Sequence, residues 1–303
     1  MNTPIVSVVL CTYNDEKYIA EAIDSILYQS FKDFEFIIWN DGSTDQTEAI
    51  VKSYKDERIR YFYHENTGLG KALSLACKEA RGKYIARMDG DDVSKPNRLQ
   101  QEVDFLNAHL DYAVVSSAVE FIDDRSNVLG RSFPWTWATN QERQISIVHP
   151  AVMFRTELYN KTCGYLPLKS AQDSVLWPRL IKLGKFHNLQ KPLLSYRLVG
   201  TSLSRGIDAK NPYKSMLDII RKKIGTDDEV NSQDIVLHND MYKEAKALVK
   251  VKHGENWIYK KSREEKLHKF LCSFVGCSMS EKLVYFIKNC IVFIFYRNRR
   301  QRR

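Results

Sequence analysis

The sequence predicts an α/β fold, an open, mixed but mostly parallel sheet flanked by helices, followed by a helical C-terminal extension. Three observations predict it. Between Ile5 and Ser117, short runs of β-branched and aromatic residues alternate with segments of helical period. The strand-like runs are continuously apolar rather than alternating, as in strands buried on both faces. Polar turns follow the strands, where an open parallel sheet binds its ligands. The 303 residues, 44% of them hydrophobic, suffice for one large core, or one core plus an appendage.

Taken in order, Ile5–Cys11 is the first strand. Glu16–Leu27 then places Tyr18, Ile19, Ala22, Ile23, Ile26 and Leu27 at helical spacing. Phe34–Trp39 is the second strand. Thr44–Tyr54 reads as a helix, with Ser43, Thr44 and Asp45 as capping residues at its start. Ile59–Tyr63 is a short third strand, and Gly68–Ala80 a helix ending at Gly82. Tyr84–Met88 is the fourth strand, Pro96 opens a helix to about Leu110, and Ala113–Ser117 is the fifth strand. Ser126–Gln144, with Trp135 and Trp137, has no clear period and reads as loop. Ala151–Phe154 is strand-like. Asp173–Lys182 looks helical, with Pro178 expected to kink it or mark a late start. Asp234–Lys250 is an amphipathic helix at best. The expected division is a sheet domain over 1–204 and a basic helical extension over 205–303.

Charge supports that division. Residues 1–204 carry 24 Lys+Arg against 25 Asp+Glu, and residues 205–303 carry 22 against 12. A near-neutral first part and a basic last third imply different tasks. Six cysteines are scattered without a CxxC pair, which fits reduced thiols in a cytoplasmic chain. Cys272, Cys277 and His268 lack zinc-ribbon spacing, and buried apolar thiols explain them better. The short run Ile5–Cys11 lacks a basic leader and does not read as a secretory signal.

Four loops converge on one sheet edge. They carry Thr12, Tyr13 and Asn14; Asp41, Gly42 and Ser43; Asn66 and Gly68; and Asp89, Gly90, Asp91 and Asp92. Three carboxylates within four residues repel one another unless a cation or a solvated loop relieves them. Hard divalent ions such as Mg²⁺ and Mn²⁺ take oxygen ligands and need only one or two carboxylates, with phosphates and water completing the shell. The competing reading is an acidic turn capping the helix that starts near Pro96. Asp41 either meets a base or ribose at the sheet edge or caps the following helix. Asp45 is better placed for that cap, which leaves Asp41 free.

These residues are similar to those of the family 2 glycosyltransferases, which have the Rossmann-like fold called GT-A. The matching pieces, in order, are Ser7 to Asn14, Asn40 to Asp45, Asn66 to Leu69, Arg87 to Asp92, His149 to Arg155, Gln172-Asp173 with Leu176-Trp177, and Tyr196-Arg197. They cover roughly residues 4–204. The resemblance implies a nucleotide diphosphate sugar donor, held by Thr12, Tyr13, Asn14, Glu16, Asp41, Asn66, Gly68, Lys71, Asp89 and Gly90. It implies Mn²⁺ or Mg²⁺ on Asp91, with Asp89 nearer the ribose or a coordinated water. It maps the catalytic base to Asp173, against the plain reading of a helix-start residue favoured by the dipole. Three positions depart from the family pattern. Gln172 stands where a glutamate is usual, Pro178 lies inside the helix, and Val199 replaces a histidine that reaches the metal in many relatives. His149 or His187 could assist the ion, although a structural role suits each better.

Leu283–Tyr296 is nearly all apolar and aromatic, and five of the last seven residues are arginine. As a helix it spans about 21 Å, too short for a bilayer core of about 30 Å. A helix lying on an anionic membrane would look like this, as would a core helix with a solvated basic tail. No nucleic-acid-binding module accompanies the arginines. The function expected is inverting transfer of a sugar, a UDP-hexose or UDP-N-acetylhexosamine being the implied donor. The implied acceptor is a glycan or lipid-linked glycan in surface polysaccharide synthesis, with the protein at the inner face of the cytoplasmic membrane. The alternatives are a degenerate nucleotide-sugar-binding module and a sugar nucleotidyltransferase. The latter would want a glycine-rich basic loop where this chain has the acidic Thr12 to Glu16.

Overall fold

The computed structural model describes residues 3–134, 147–199, 217, 220, 224, 225 and 230–247. The chain divides into two compact units, Met1–Lys252 and His253–Arg303, and the described residues all lie in the first. The tail 283–303 and the cysteines near its start lie outside them.

One twisted sheet organises the first unit. Its strands are β1 (Val6–Thr12), β2 (Phe34–Asn40), β3 (Ile59–Tyr63), β4 (Tyr84–Asp89), β5 (Val93–Ser94), β6 (Tyr112–Ile122), β7 (Val128–Ser132), β8 (Met153–Arg155) and β9 (Lys185–Arg197). Their order is β3-β2-β1-β4-β8-β6-β9-β5, with β7 on the far part of β6. The block β3-β2-β1-β4 is parallel, as is the β6–β9 pair, while β8, β7 and β5 run antiparallel to their neighbours. All seven residues of β1 and all seven of β2 are buried, which is why their sequences run apolar without alternation.

The helices are α1 (Ile19–Leu27), α2 (Thr47–Ser53), α3 (Leu69–Lys78), α4 (Arg98–Ala108), α5 (Thr156–Asn160), α6 (Gln172–Leu180) and α7 (Ser232–Ala247). Helix α1 buries Ile19, Ala22, Ile23 and Ile26, the 3–4 spacing of one face. Helix α3 packs so closely on the chain after α5 that a Cβ on Gly70 would lie 2.6 Å from Leu168 O. Helix α4 is pinned beneath β4 by Arg98, fully buried, which donates to Arg87 O at 2.8 Å and pairs with buried Glu102 at 3.0 Å. Leu73, Ile85, Phe154, Leu176, Trp177 and Phe186 belong to the core on one sheet face. Beyond β9, Ile220 and Ile224 pack on Leu166, Leu168 and Val175, with Ile235 and Met241 of α7 against them.

The structure departs from the sequence expectations at three places. The stretch from Ser126 is not all loop, because Val128–Ser132 forms β7 on β6. Pro178 does not delay α6, which begins at Gln172 and runs through it. The bond that proline cannot make belongs to Ser174, an exposed residue whose carbonyl water can serve, and buried Val175, Leu176, Trp177 and Leu180 offset the cost. Strand β9 has no counterpart in the sequence reading. Its register on β6 skips from Leu189 to Pro192, and Gln190 and Lys191 interrupt the apolar pattern.

Candidate functional site

Because β1 and β4 are parallel neighbours, with Cys11 opposite Asp89, their carboxyl-end loops leave the sheet side by side. Strand β2 delivers Asp41 on the other side of β1. The two central loops interlock. Thr12 Oγ1 donates to Asp15 Oδ2 at 2.7 Å, and Asp15 in turn presses on Gly90. A Cβ at Gly90 would overlap Asp15 Oδ2 and lie 3.1 Å from its Cγ and 3.3 Å from Thr12 Oγ1. Glycine at 90 is therefore a packing requirement of this contact.

Asp89, Asp91 and Asp92 each bring a carboxylate oxygen into one group, all within 4.8 Å of one another. Arg87, buried in β4, makes an ion pair with Asp89; burial disfavours the guanidinium charge most, and the charge and hydrogen bond of Asp89, with Tyr165 and Asp92, together more than offset it. Burial, then Asp89 and Asp15, push the Asp91 carboxyl up from 3.8 to about 7. Burial, then Asp91 and Asp89, push Asp92 well above the ordinary carboxylate range, and burial raises Asp15 to about 6. Asp92 Oδ1 accepts from Arg197 N at 2.8 Å, while its Oδ2 is buried without a hydrogen-bond partner among the described residues. A hard divalent cation fits this donor set: all oxygen, excess negative charge, and an unserved inward oxygen.

The other predicted donor residues gather on the same edge, several of them already engaged. Asn14 adopts a left-handed backbone, φ 56°, which lets its amide oxygen accept from Thr44 N at 2.8 Å and its own N–H reach Ser43 Oγ at 3.0 Å. Glu16 accepts from Gln46 N at 2.9 Å at the start of α2. Asp45 accepts from Thr47 N at 3.0 Å, in the capping role expected of it. Asp41 is not left free by that arrangement. It accepts from Thr67 N at 2.9 Å, Thr67 Oγ1 at 3.1 Å and Gly68 N at 2.9 Å, tying the β2 loop to the start of α3. Gly68, at φ 86°, then turns the chain into α3 in a conformation glycine adopts readily. A carboxylate has about four acceptor sites, so Asp41 keeps capacity for a further donor. Tyr13, Asn66 and Lys71 are exposed on this edge.

Asp173 sits half-buried in the first turn of α6, behind Ala171 in a left-handed conformation. Its charge is felt by Tyr165, which is buried and shares a 2.7 Å hydrogen bond with His149 Nε2. Burial and then Arg87 hold His149 far below the ordinary histidine range, so it is neutral. Its ring packs against Tyr165 and edge-on to Trp177. His187 stacks on Phe105 with ring centroids 4.4 Å apart. Neither histidine joins the acidic group, so the structural roles hold.

With this geometry in place, comparison with known proteins is decisive for the family. A family model described as Glycosyl transferase family 2 matches residues 7–161. An uncharacterized glycosyltransferase of Methanocaldococcus jannaschii is 36% identical over 209 residues, 65% of this chain and 72% of that protein. The chain belongs to glycosyl transferase family 2. An uncharacterized glycosyltransferase of Haemophilus influenzae, 29% identical, is covered over 78% of its length by 76% of this chain. The fold matches S. aureus TarS in complex with UDP-GlcNAc at TM-score 0.59, with 23% identity over 88% of this chain and 80% of that one. It also matches the Pyrobaculum calidifontis mannosyltransferase PcManGT in complex with GDP-Man and Mn²⁺, at TM-score 0.55 and 18% identity over 99% and 83%. The fold of this family 2 glycosyltransferase is thus GT-A.

Asp15 escapes a reading of this glycosyltransferase's sequence, and so does the role of Arg197, which the family resemblance marks without assigning one. Asp15 lies between Asn14 and Glu16, which were singled out, yet only its contact with Gly90 distinguishes it. Arg197 closes β9 and is 1% exposed. Nothing in its sequence neighbourhood signals contact with a loop more than a hundred positions earlier.

Proposed function

We propose that this family 2 glycosyltransferase is an inverting, metal-dependent enzyme. It moves a sugar from a UDP-hexose or UDP-N-acetylhexosamine to a hydroxyl of a lipid-linked glycan in surface polysaccharide synthesis. The observation that carries the reading is the undercompensated group Asp89, Asp91 and Asp92 at the carboxyl edge, flanked by the β1 and β2 loops. The likeness of fold to TarS, which was crystallised with UDP-GlcNAc, supports the donor class.

In this reading Thr12, Tyr13, Asn14 and Asp41 surround the nucleoside, with the free acceptor capacity of Asp41 directed to a ribose or base donor. Lys71 and the N–H groups at the start of α3 face its phosphates. Asp91 and Asp89, with Asp92 beside them, would hold Mn²⁺ or Mg²⁺, which when bound neutralises the diphosphate as leaving group. Asp173 takes the proton of the acceptor hydroxyl as that oxygen bonds to the anomeric carbon and the bond to the nucleotide diphosphate breaks on the opposite side. The configuration inverts, and an α-linked donor gives a β-linked product. Help of this kind from a base is worth about 10²–10⁴-fold. The acceptor is proposed to reach the enzyme at the cytoplasmic membrane through the tail 283–303. Among the described residues no helix is long and apolar enough to cross a membrane.

Calorimetric titration with a panel of nucleotide diphosphate sugars, with and without Mn²⁺, tests the reading together with a transfer assay. One donor should bind in a metal-dependent way, and Asp91→Ala should lose that binding. Asp173→Asn should keep binding and lose transfer. Donor binding in none of the conditions would favour a degenerate module, and transfer by Asp173→Asn at the parent rate would remove Asp173 from the mechanism.

A further inference from the structure

Arg197 is the most heavily engaged side chain near the acidic loop. Its Nε donates to Asp91 O at 2.7 Å, and its backbone N–H donates to Asp92 Oδ1 at 2.8 Å. Nη1 donates to Asp123 O at 2.9 Å and to Ser126 Oγ at 3.0 Å, both in the turn between β6 and β7. Nη2 pairs with Glu21 of α1 at 2.5 Å, and the guanidinium lies over the Tyr18 ring, 4.5 Å from its centroid. Ser126 Oγ also donates to Glu21, so the turn, the helix and the arginine close one network. One planar group thereby joins four segments: the acidic loop, α1, the β6–β7 turn and β9.

The consequences follow from the charges. Three neighbouring carboxylates push the acidic loop apart, and among the described residues Arg87 forms its direct ion pair with Asp89. Asp91 and Asp92 receive their restraint from Arg197 alone among the described arginines, one through its carbonyl and one through its side chain. The guanidinium charge is directed away from their carboxylates, toward Glu21. Arg197 can thus fix the Asp91 carbonyl and one Asp92 oxygen while leaving Asp92 Oδ2 and the Asp91 carboxylate to a cation. A lysine has the charge but not the fork, and cannot reach the Asp91 carbonyl and Glu21 together.

We propose that Arg197 is a positioning residue for the divalent cation. It holds the Asp91–Asp92 backbone in the arrangement that lets their carboxylates converge, and it couples that arrangement to α1 through Glu21. This rests on the metal reading of the acidic group given above.

The test is Mn²⁺ affinity of the full chain without donor, measured by electron paramagnetic resonance titration alongside thermal unfolding. Arg197→Lys should weaken Mn²⁺ about tenfold or more. Arg155→Lys is the control for a purely structural loss. Arg155 also donates to several backbone carbonyls, those of Tyr112, Leu106 and His109, but away from the acidic loop. It should lower the unfolding temperature and leave Mn²⁺ affinity unchanged. If Arg197→Lys does not fold, Glu21→Gln replaces it, because Glu21 is 45% exposed and only anchors the far end of the guanidinium. That variant should weaken Mn²⁺ about threefold. Parental Mn²⁺ affinity in the folded Arg197 variant, or in Glu21→Gln where that variant stands in, overturns the proposal. Absence of Mn²⁺ binding by the parent overturns the metal reading itself, and the proposal with it.

Discussion

Acidification should weaken Mn²⁺ binding through Asp91, and the structure sets the size of the effect. In the metal-free protein, burial and the neighbouring Asp89 and Asp15 raise Asp91 from 3.8 to about 7. A cation needs the ionised carboxylate. The ionised fraction falls from about nine-tenths at about pH 8 to about one-tenth at about pH 6, so the apparent dissociation constant should rise about tenfold. At about pH 7, binding should release about half a proton, measurable by calorimetry in two buffers of different ionisation enthalpy. The stability counterpart has a fixed sign. A carboxyl whose folded value is raised favours the folded state while protonated, so its contribution is present below 3.8 and lost as the pH rises through about 7. Metal-free protein should therefore lose thermal stability between those limits, and Mn²⁺ should restore it at the alkaline end. Asp91→Asn should flatten that loss. Equal Mn²⁺ affinity at both pH values, with no proton exchanged, would refute the reasoning.

Two further outcomes follow from the packing and the tail. Gly90→Ala forces a methyl group into Asp15, which Thr12 and the Tyr13 N–H hold in place. The overpacking should cost about 1–3 kcal/mol, read as a lowered denaturant midpoint, with weakened Mn²⁺ binding; parental values for both would show that the two loops can separate freely. Truncation before Leu283 should move the protein from the membrane pellet to the supernatant in a membrane cosedimentation assay and leave nucleotide binding intact; unchanged partition would defeat the anchor.

The parts of the fold that could be read from sequence are those whose contacts are local. Strands β1 to β4 and helices α1 to α3 alternate along the chain, and each apolar run lands in the core of the unit it helps to build. Ile59–Tyr63 was expected as a strand and is one, because its neighbours in sequence are also its neighbours in space. The second half obeys longer-range rules. Strand β8 has three residues and slots antiparallel between β4 and β6. Strand β9 carries polar residues in its middle because its register slips there. Ala151–Phe154 reads as a strand, but local periodicity cannot give its antiparallel place between two distant strands, nor the slip in β9. The site divides in the same way. The acidic run and the turn residues after β1 and β2 stand out by composition and position. Asp41 was expected to be free because its partner, the backbone of Thr67 and Gly68, is invisible in a list of side chains.

The charge balance of the acidic loop carries the last step. Burial and neighbouring carboxylates, Asp89 among them, raise the proton affinity of Asp15, Asp91 and Asp92, and the guanidiniums that contact the acidic loop are those of Arg87 and Arg197. Arg87 is committed to Asp89, and Arg197 offers the loop its geometry while giving its charge to Glu21. A lysine placed among these carboxylates would relieve the repulsion and stabilise the metal-free fold. It would also occupy the oxygens permanently, and a divalent ion would have to displace it. The loop is instead held by hydrogen bonds and left short of positive charge, which costs stability in the empty state and, in the proposed metal-dependent reading, would reserve the oxygens for an exchangeable cation. Such a site stays sensitive to its fasteners. The substitutions that disturb it most are those that loosen the backbone restraint, at Arg197 and Gly90, as well as those that remove a carboxylate.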